Sequence, residues 1–259
     1  MGTLISTLSG RAGSESELNL IAAADQAAPT KRYIPSIWGF KPSEELVRHH
    51  SFGTNSDFHR VAEKFPPAKD KLTFLAALSK TSLEYTAWYP GYFLDYFVFP
   101  GVRSNMNIFR LVLDVEHNVA AIPGSGNVPV IFTHTLDIAK FVAASLSFPK
   151  WSNETYVVGD RLTFNEALAI AEEVKGTKFK VTYDSVELLR SGKVTELPSH
   201  AQMYPFFPEE QLQGFLAIVG LLFENGECDF PTDQTINHDV PEIKAGTFRE
   251  LMVEAWKGK

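Results

Sequence analysis

Apolar residues recur along this chain at two spacings. Short runs are apolar throughout or alternate, and longer stretches repeat every third or fourth position. The run Leu4-Ile5-Ser6-Thr7-Leu8, closed by Ser9-Gly10, predicts a strand and a turn. A helix follows, opened by Ser14 and Glu17 at capping-box spacing, with Leu18, Ile21 and Ala22 on one face and an end near Ala28-Pro29. Arg32, Tyr33, Ile34 and Pro35 predict a second strand. The first 35 residues therefore read as a βαβ unit with a right-handed crossover.

Residues 71–97 predict a short helix opened by Lys71, a strand over 84–88 and an aromatic loop centred on Gly91. The apolar runs 119–122 and 128–132 flank Pro123-Gly124-Ser125-Gly126-Asn127 and predict a hairpin. Thr135 and Asp137 predict a helix start, and Thr163 with Glu166 makes a second capping box whose helix runs to Gly176. A strand over 178–183 and a helix capped by Asp184 and Glu187 come next. Glu209 and Glu210, after Pro208, open an amphipathic helix with Leu212, Phe215, Leu216, Val219, Leu222 and Phe223 at helical spacing. This order of elements predicts the α/β class, as one large domain or one domain with a smaller lobe.

Composition narrows the function classes. The 259 residues are 44% hydrophobic, enough for a substantial core. Twenty phenylalanines, gathered around 92–109 and 206–230, add the expectation of an apolar pocket. A net charge of −7 without a basic run argues against nucleic acid and anionic membrane as partners. Cys228 is the sole cysteine, which points to a reducing, cytoplasmic setting. No apolar run reaches membrane-spanning length, and the N-terminus lacks a secretory pattern. Gly2 and Ser6 match a myristoylation pattern, but a buried strand there is the better reading. The sequon at Asn153 is expected to stay unused.

Candidate chemistry is sparse. Dinucleotide, phosphate-loop, zinc-protease and serine-elbow motifs are all absent from these 259 residues. His49, His50 and His59 fit no standard zinc spacing and read as surface residues. Lys71 remains. Early in a helix it would feel the positive end of the macrodipole, and aromatic surroundings would desolvate it. Both favour the neutral amine and suit proton transfer near neutral pH. From position alone, a solvated lysine like Lys69 or Lys80 is the more ordinary reading.

Several stretches together resemble the NmrA-like and isoflavone-reductase-like family of atypical short-chain dehydrogenases. LISTLSG and the following ELNLIAAADQAAPTKRYIPS resemble that family's fourth strand, helix and fifth strand. Ser36-Ile37-Trp38-Gly39-Phe40 stands where its P-S-E-F-G motif falls. Lys71 precedes Thr86 by fifteen residues, much as the family's catalytic lysine precedes its Y-T strand, and Tyr85-Thr86 and Gly91-Tyr92-Phe93 complete the match. The likeness covers most of the chain.

The resemblance implies a Rossmann-like parallel sheet over residues 1–150 and a smaller C-terminal α+β substrate lobe over 151–259, with some lobe elements returning to the sheet. It implies a reductase using NADPH or NADH on a small aromatic or polyketide-like compound, with Lys71 as general acid/base. Ser9 and Gly10 would lie along the cofactor, Ser36 near the nicotinamide, and Lys71, Tyr89 and Gly91 beside it. Trp38, Tyr92 and Phe93 would meet the substrate.

Departures accompany the match. The family's glycine-rich βαβ unit is not found, so an N-terminally truncated sheet with impaired dinucleotide binding is expected. Leu75 stands where plant members carry arginine, and Ile37-Trp38 replaces Glu-Phe. The alternative is a non-catalytic regulatory or scaffold protein, or an inactive paralogue, acting through a protein partner or a second copy of itself.

Overall fold

A computed structural model describes residues 2–8, 13–41, 67–106 and 109–259. The βαβ unit is present. Strand β1 (Gly2–Ile5) pairs parallel with β2 (Thr30–Ile34), and α1 (Gly13–Gln26) connects them. The strand thus begins and ends earlier than its apolar run implied. Helix α2 (Pro67–Leu78) leads into β3 (Glu84–Tyr85), which pairs parallel with β2.

Past Thr86 the chain continues as β4 (Ala87–Tyr89) and changes partner to β9 (Glu154–Tyr156), again in parallel. The Thr86 amide donates to the Tyr33 carbonyl at 3.2 Å and the Ala87 amide to Asn153 at 2.9 Å, so the exchange leaves neither amide unpaired. The Thr86 and Thr155 hydroxyls meet at 2.7 Å beside it.

Both faces of these strands are covered, as parallel sheets require. On one, α1 and α2 bury Ile21, Ala24, Phe74 and Leu78 against Tyr33, Ala87 and Tyr89. On the other, Ile138, Phe141 and Val142 of α4 (Thr135–Ser145) pack on Ile34 and Trp88; the short α3 (Asp95–Val98) precedes α4.

Two smaller sheets build the rest. Strand β8 (Pro129–Thr133) lies between β5 (Tyr92–Phe93), parallel, and β10 (Asp160–Thr163), antiparallel. Strand β7 (Val119–Pro123) lies between β6 (Leu113–Asp114), antiparallel, and β11 (Lys180–Asp184), parallel. The expected hairpin over 119–132 is therefore not formed. Gly124 and Gly126, at φ 57° and 67°, turn the chain, and the Gly126 amide closes the turn on the Pro123 carbonyl at 3.2 Å, but the turn's other backbone bonds go elsewhere. The Gly124 amide donates to Asp184 at 2.8 Å, and the Gly126 carbonyl accepts from the Asn165 amide at 3.1 Å. The turn docks on β11 and on the start of α5 (Phe164–Lys175), so its two strands join different sheets.

Around these lie α6 (Val186–Arg190), α7 (Glu209–Glu224), α8 (Ile236–Asp239) and α9 (Phe248–Trp256). Helix α7 is buried over more than one stripe, including Ala217, Ile218 and Leu221 as well as Leu216 and Phe223.

The capping box at Thr163 and Glu166 and the left-handed end at Gly176 form as the sequence predicts. Three other caps differ. Ser14 lies inside α1, and Glu17 turns inward rather than capping it. His134 caps α4 by accepting from the Leu136 amide, while Thr135 donates its hydroxyl to buried Asp95 at 2.6 Å. Ser185 caps α6, and Asp184 instead accepts from Thr195 at 2.6 and 2.9 Å. Among the described residues no helix is long and apolar enough to cross a membrane, and no side-chain cluster could hold a metal. His49, His50 and His59 lie outside the described residues.

Candidate active site

Strands β1, β2 and β4 run in parallel, and their carboxyl ends point to one edge of the sheet, where ligands of open α/β folds bind. The chain leaves β2 there and crosses that edge over residues 36–41. Lys71 reaches the crossing from α2.

Lys71 does not open its helix. Pro67 does, which leaves Lys71 in fifth place, beyond the first turn where the macrodipole acts. Of the two causes expected from the sequence, desolvation is the one that acts. The half-buried amine is desolvated, which lowers its pKa to about 8. The amine donates to the Trp38 carbonyl at 3.1 Å. Gly39, at φ 121°, keeps the adjacent backbone bare, and a Cβ there would stand 3.7 Å from Lys71 Nζ. An amine with a lowered pKa and a neutral acceptor can pass a proton in either direction near neutral pH.

The crossing is itself held. The Trp38 indole donates to the Ser6 carbonyl at 3.0 Å and packs near Trp88 at 6.3 Å. The Ser36 hydroxyl donates to the Leu8 carbonyl at 2.8 Å and its amide to Glu17 at 3.2 Å. Lys41 pairs with Glu154 at 2.8 Å and with the Tyr156 hydroxyl at 3.2 Å, which ties the crossing to β9.

Of the residues singled out from the sequence, Ser36, Trp38 and Lys71 come together at this edge. Ser9 and Gly10 lie outside the described residues. The stretch 89–93 is not a free loop. Tyr89 is buried under α1 and α2, and Tyr92 and Phe93 form β5. Gly91, at φ 74°, is pressed so closely on β8 that a Cβ would stand 2.4 Å from the Ile131 carbonyl oxygen. Tyr92 is enclosed by Phe97, Phe132, Phe164 and Phe223, with the Phe223 ring of α7 at 5.1 Å. Phe93 packs in the Trp88 cluster together with Trp38.

The buried Tyr89 and Tyr92 hydroxyls have no hydrogen-bond partner among the described residues, and burial pushes both phenols above their ordinary pKa. Such groups are costly unless a ligand or water meets them.

Glu17 is the residue the sequence reading missed. It is 2% exposed and accepts from Ser6 Oγ at 2.5 Å, Tyr33 OH at 3.0 Å and the Ser36 amide at 3.2 Å. A signal was available. Glu17, Ile21 and Ala24 stand at i, i+4 and i+7, so the carboxylate lies on the buried stripe of α1.

No family model matches the chain. Among curated proteins, the oxidoreductase BOA1 of Botryotinia fuckeliana is 36% identical over 166 residues, which is 64% of this chain and 50% of the relative. Pinoresinol reductase 2 of Arabidopsis thaliana is 28% identical over 176 residues, 65% of this chain and 49% of the relative. Among solved structures, AtPrR2 with NADP+ and (+)pinoresinol overlays with a TM-score of 0.69 at 21% identity. That overlay covers 97% of this chain and 74% of the other. These similarities to oxidoreductases and pinoresinol reductases are consistent with the NmrA-like and isoflavone-reductase-like resemblance read from the sequence. The chain's α/β architecture is the Rossmann-like fold of the solved reductases. It spans about half the length of the two curated relatives.

Proposed function

We propose that this chain carries the proton-transfer half of a nicotinamide-dependent reductase acting on a small aromatic or polyketide-like compound. One observation carries the reading. A half-buried lysine with its pKa near 8 sits at the carboxyl edge of the sheet, held by the uncharged Trp38 carbonyl. The similarity to oxidoreductases and the overlay on AtPrR2 with NADP+ support the cofactor class.

The described residues fit the nicotinamide end of such a cofactor. Gly39 leaves bare backbone beside the amine, and the Tyr89 hydroxyl is a buried polar group without a partner among them. Lys71, Ser36 and Tyr89 would border that end, and bound NADPH would supply a hydride; Gly91 is taken up by its close packing on β8. Trp38 and Phe93 would offer aromatic surface to the substrate, whereas Tyr92, expected beside them, is enclosed in the core.

Lys71 would donate its proton to the substrate oxygen that becomes a hydroxyl, and the Trp38 carbonyl would hold the amine in place. With a pKa near 8 the lysine is mostly protonated at neutral pH and gives up its proton more readily than an ordinary lysine.

Calorimetric titration of the folded chain with NADPH is the first test, and saturable binding is expected. With a substrate established by screening, Lys71→Ala should lower turnover by about 100-fold or more. Equal turnover by Lys71→Ala and the parent would end the proposal.

A further inference from the structure

The Glu17 carboxylate lies beneath the crossing that carries Trp38, and each hydrogen bond it accepts among the described residues bears on where that crossing runs. Ser6 follows β1, Tyr33 belongs to β2, and Ser36 is the second residue after β2. Glu17 gathers a donor from each, with Oε2 taking the Ser6 hydroxyl and Oε1 taking Tyr33 and Ser36. Ser6 then acts twice, because its carbonyl accepts the Trp38 indole at 3.0 Å. The carbonyl of that same Trp38 takes the Lys71 amine at 3.1 Å. An unbroken path therefore runs from Glu17 through Ser6 and Trp38 to Lys71.

Burial makes this path stiff. Ser6 and Glu17 are each 2% exposed and Tyr33 is fully enclosed, so water cannot replace a lost partner without opening the sheet edge. A carboxylate is also the group that satisfies three donors at once, because it only accepts.

We propose that Glu17 is a positioning residue for Lys71, acting through Ser6 and Trp38 to hold the carbonyl that orients the lysine amine. This rests on the reading of Lys71 as the proton donor, but it is testable without substrate or cofactor.

The measurement is the pH dependence of Lys71 modification by an amine-reactive reagent, read by peptide mass spectrometry on the full chain, beside a thermal melt. Glu17→Gln keeps the size of the side chain but turns an NH2 toward groups that themselves donate. Trp38→Phe removes the bond to the Ser6 carbonyl and keeps an aromatic ring near Trp88. Neither variant touches Lys69 and Asp70 beside Lys71, or the Lys41–Glu154 pair on the crossing.

In the parent chain, the midpoint of labelling is expected near 8. In both variants it should rise by about one unit, as water reaches an amine no longer held. Folded variants with lower melting temperatures and unchanged midpoints would overturn the proposal, because Glu17 would then serve the fold alone. If Glu17→Gln does not fold, Trp38→Phe decides the matter through the link the two share. A parent midpoint at the ordinary lysine value would instead sink the proton-donor reading, so the two failures are distinguishable.

Discussion

Arg32 and Glu84, directly opposite each other on β2 and β3, form an ion pair at 2.6 Å that also fixes how the chain re-enters the sheet. The guanidinium donates to the carbonyls of Leu146, Phe148 and Pro149, just past α4, and lies over the Trp151 ring at 4.7 Å. The other Glu84 oxygen accepts from the Trp151 amide at 2.6 Å. Together they anchor the segment that leads into β9, and β9 must pair with β4 to complete the edge where Lys71 sits.

Arg32→Met should therefore destabilise the chain by about 3 kcal/mol, because it leaves a carboxylate and three carbonyls without their donor. Urea denaturation would measure this. Burial pushes the Glu84 carboxyl up, but hydrogen bonds from the Trp151 amide and Arg32 outweigh it and hold the pKa below the ordinary value. The stability from this depression is present above the ordinary carboxylate pKa and lost as pH falls through the depressed one. That part of the acid sensitivity should weaken in the variant.

Lys71 carries the opposite sign. Desolvation lowers its folded pKa to about 8, so the folded chain binds this proton less tightly than the unfolded chain. Below about 8 the buried charge opposes folding, and the penalty fades as pH rises toward the ordinary lysine value. Lys71→Met should melt higher than the parent at pH 7, with the difference closing in steps up to about pH 10.5. Melting curves across that window test it. A constant difference would contradict it.

Two glycines at positive φ should respond unequally to alanine. At Gly39 the Cβ meets only Lys71 Nζ among the described residues, at 3.7 Å, so the cost is backbone strain of about 1–3 kcal/mol. At Gly91 the Cβ would fall 2.4 Å from a backbone oxygen of β8, which cannot swing aside. Gly91→Ala should cost about 4 kcal/mol, or leave little folded protein. Side-by-side denaturation would rank the two.

Tyr92→Phe should leave the free chain as stable as the parent, or more stable by about 1 kcal/mol, because the hydroxyl removed has no partner among the described residues. If that hydroxyl serves the substrate, KM will rise while the melting temperature does not fall. A marked loss of stability would reveal a partner for it.

Much of this protein was legible in its sequence. Periodicity marked α1, α7 and the alternation of strands and helices, because burying one face of an element imposes that spacing. The capping box at Thr163 and Glu166 and the end at Gly176 were readable because every partner lies within a few residues. The order of motifs around Lys71 was enough to indicate the resemblance to reductases.

Pairing was decided by the tertiary structure. Strands β7 and β8 look like a hairpin because a glycine turn joins them, yet distant β11 and β10 offered each a better partner. Tyr92 looked like a loop aromatic until β8 and α7 enclosed it. Glu17 looked like a cap, because its donors come from strands brought beneath it only by folding. Lys71 shows the division most clearly. Its place in the sequence suggested a lowered pKa through both the helix dipole and desolvation; desolvation is the cause that acts, and the amine's bond to the Trp38 carbonyl is a contact across 33 residues that no local pattern encodes.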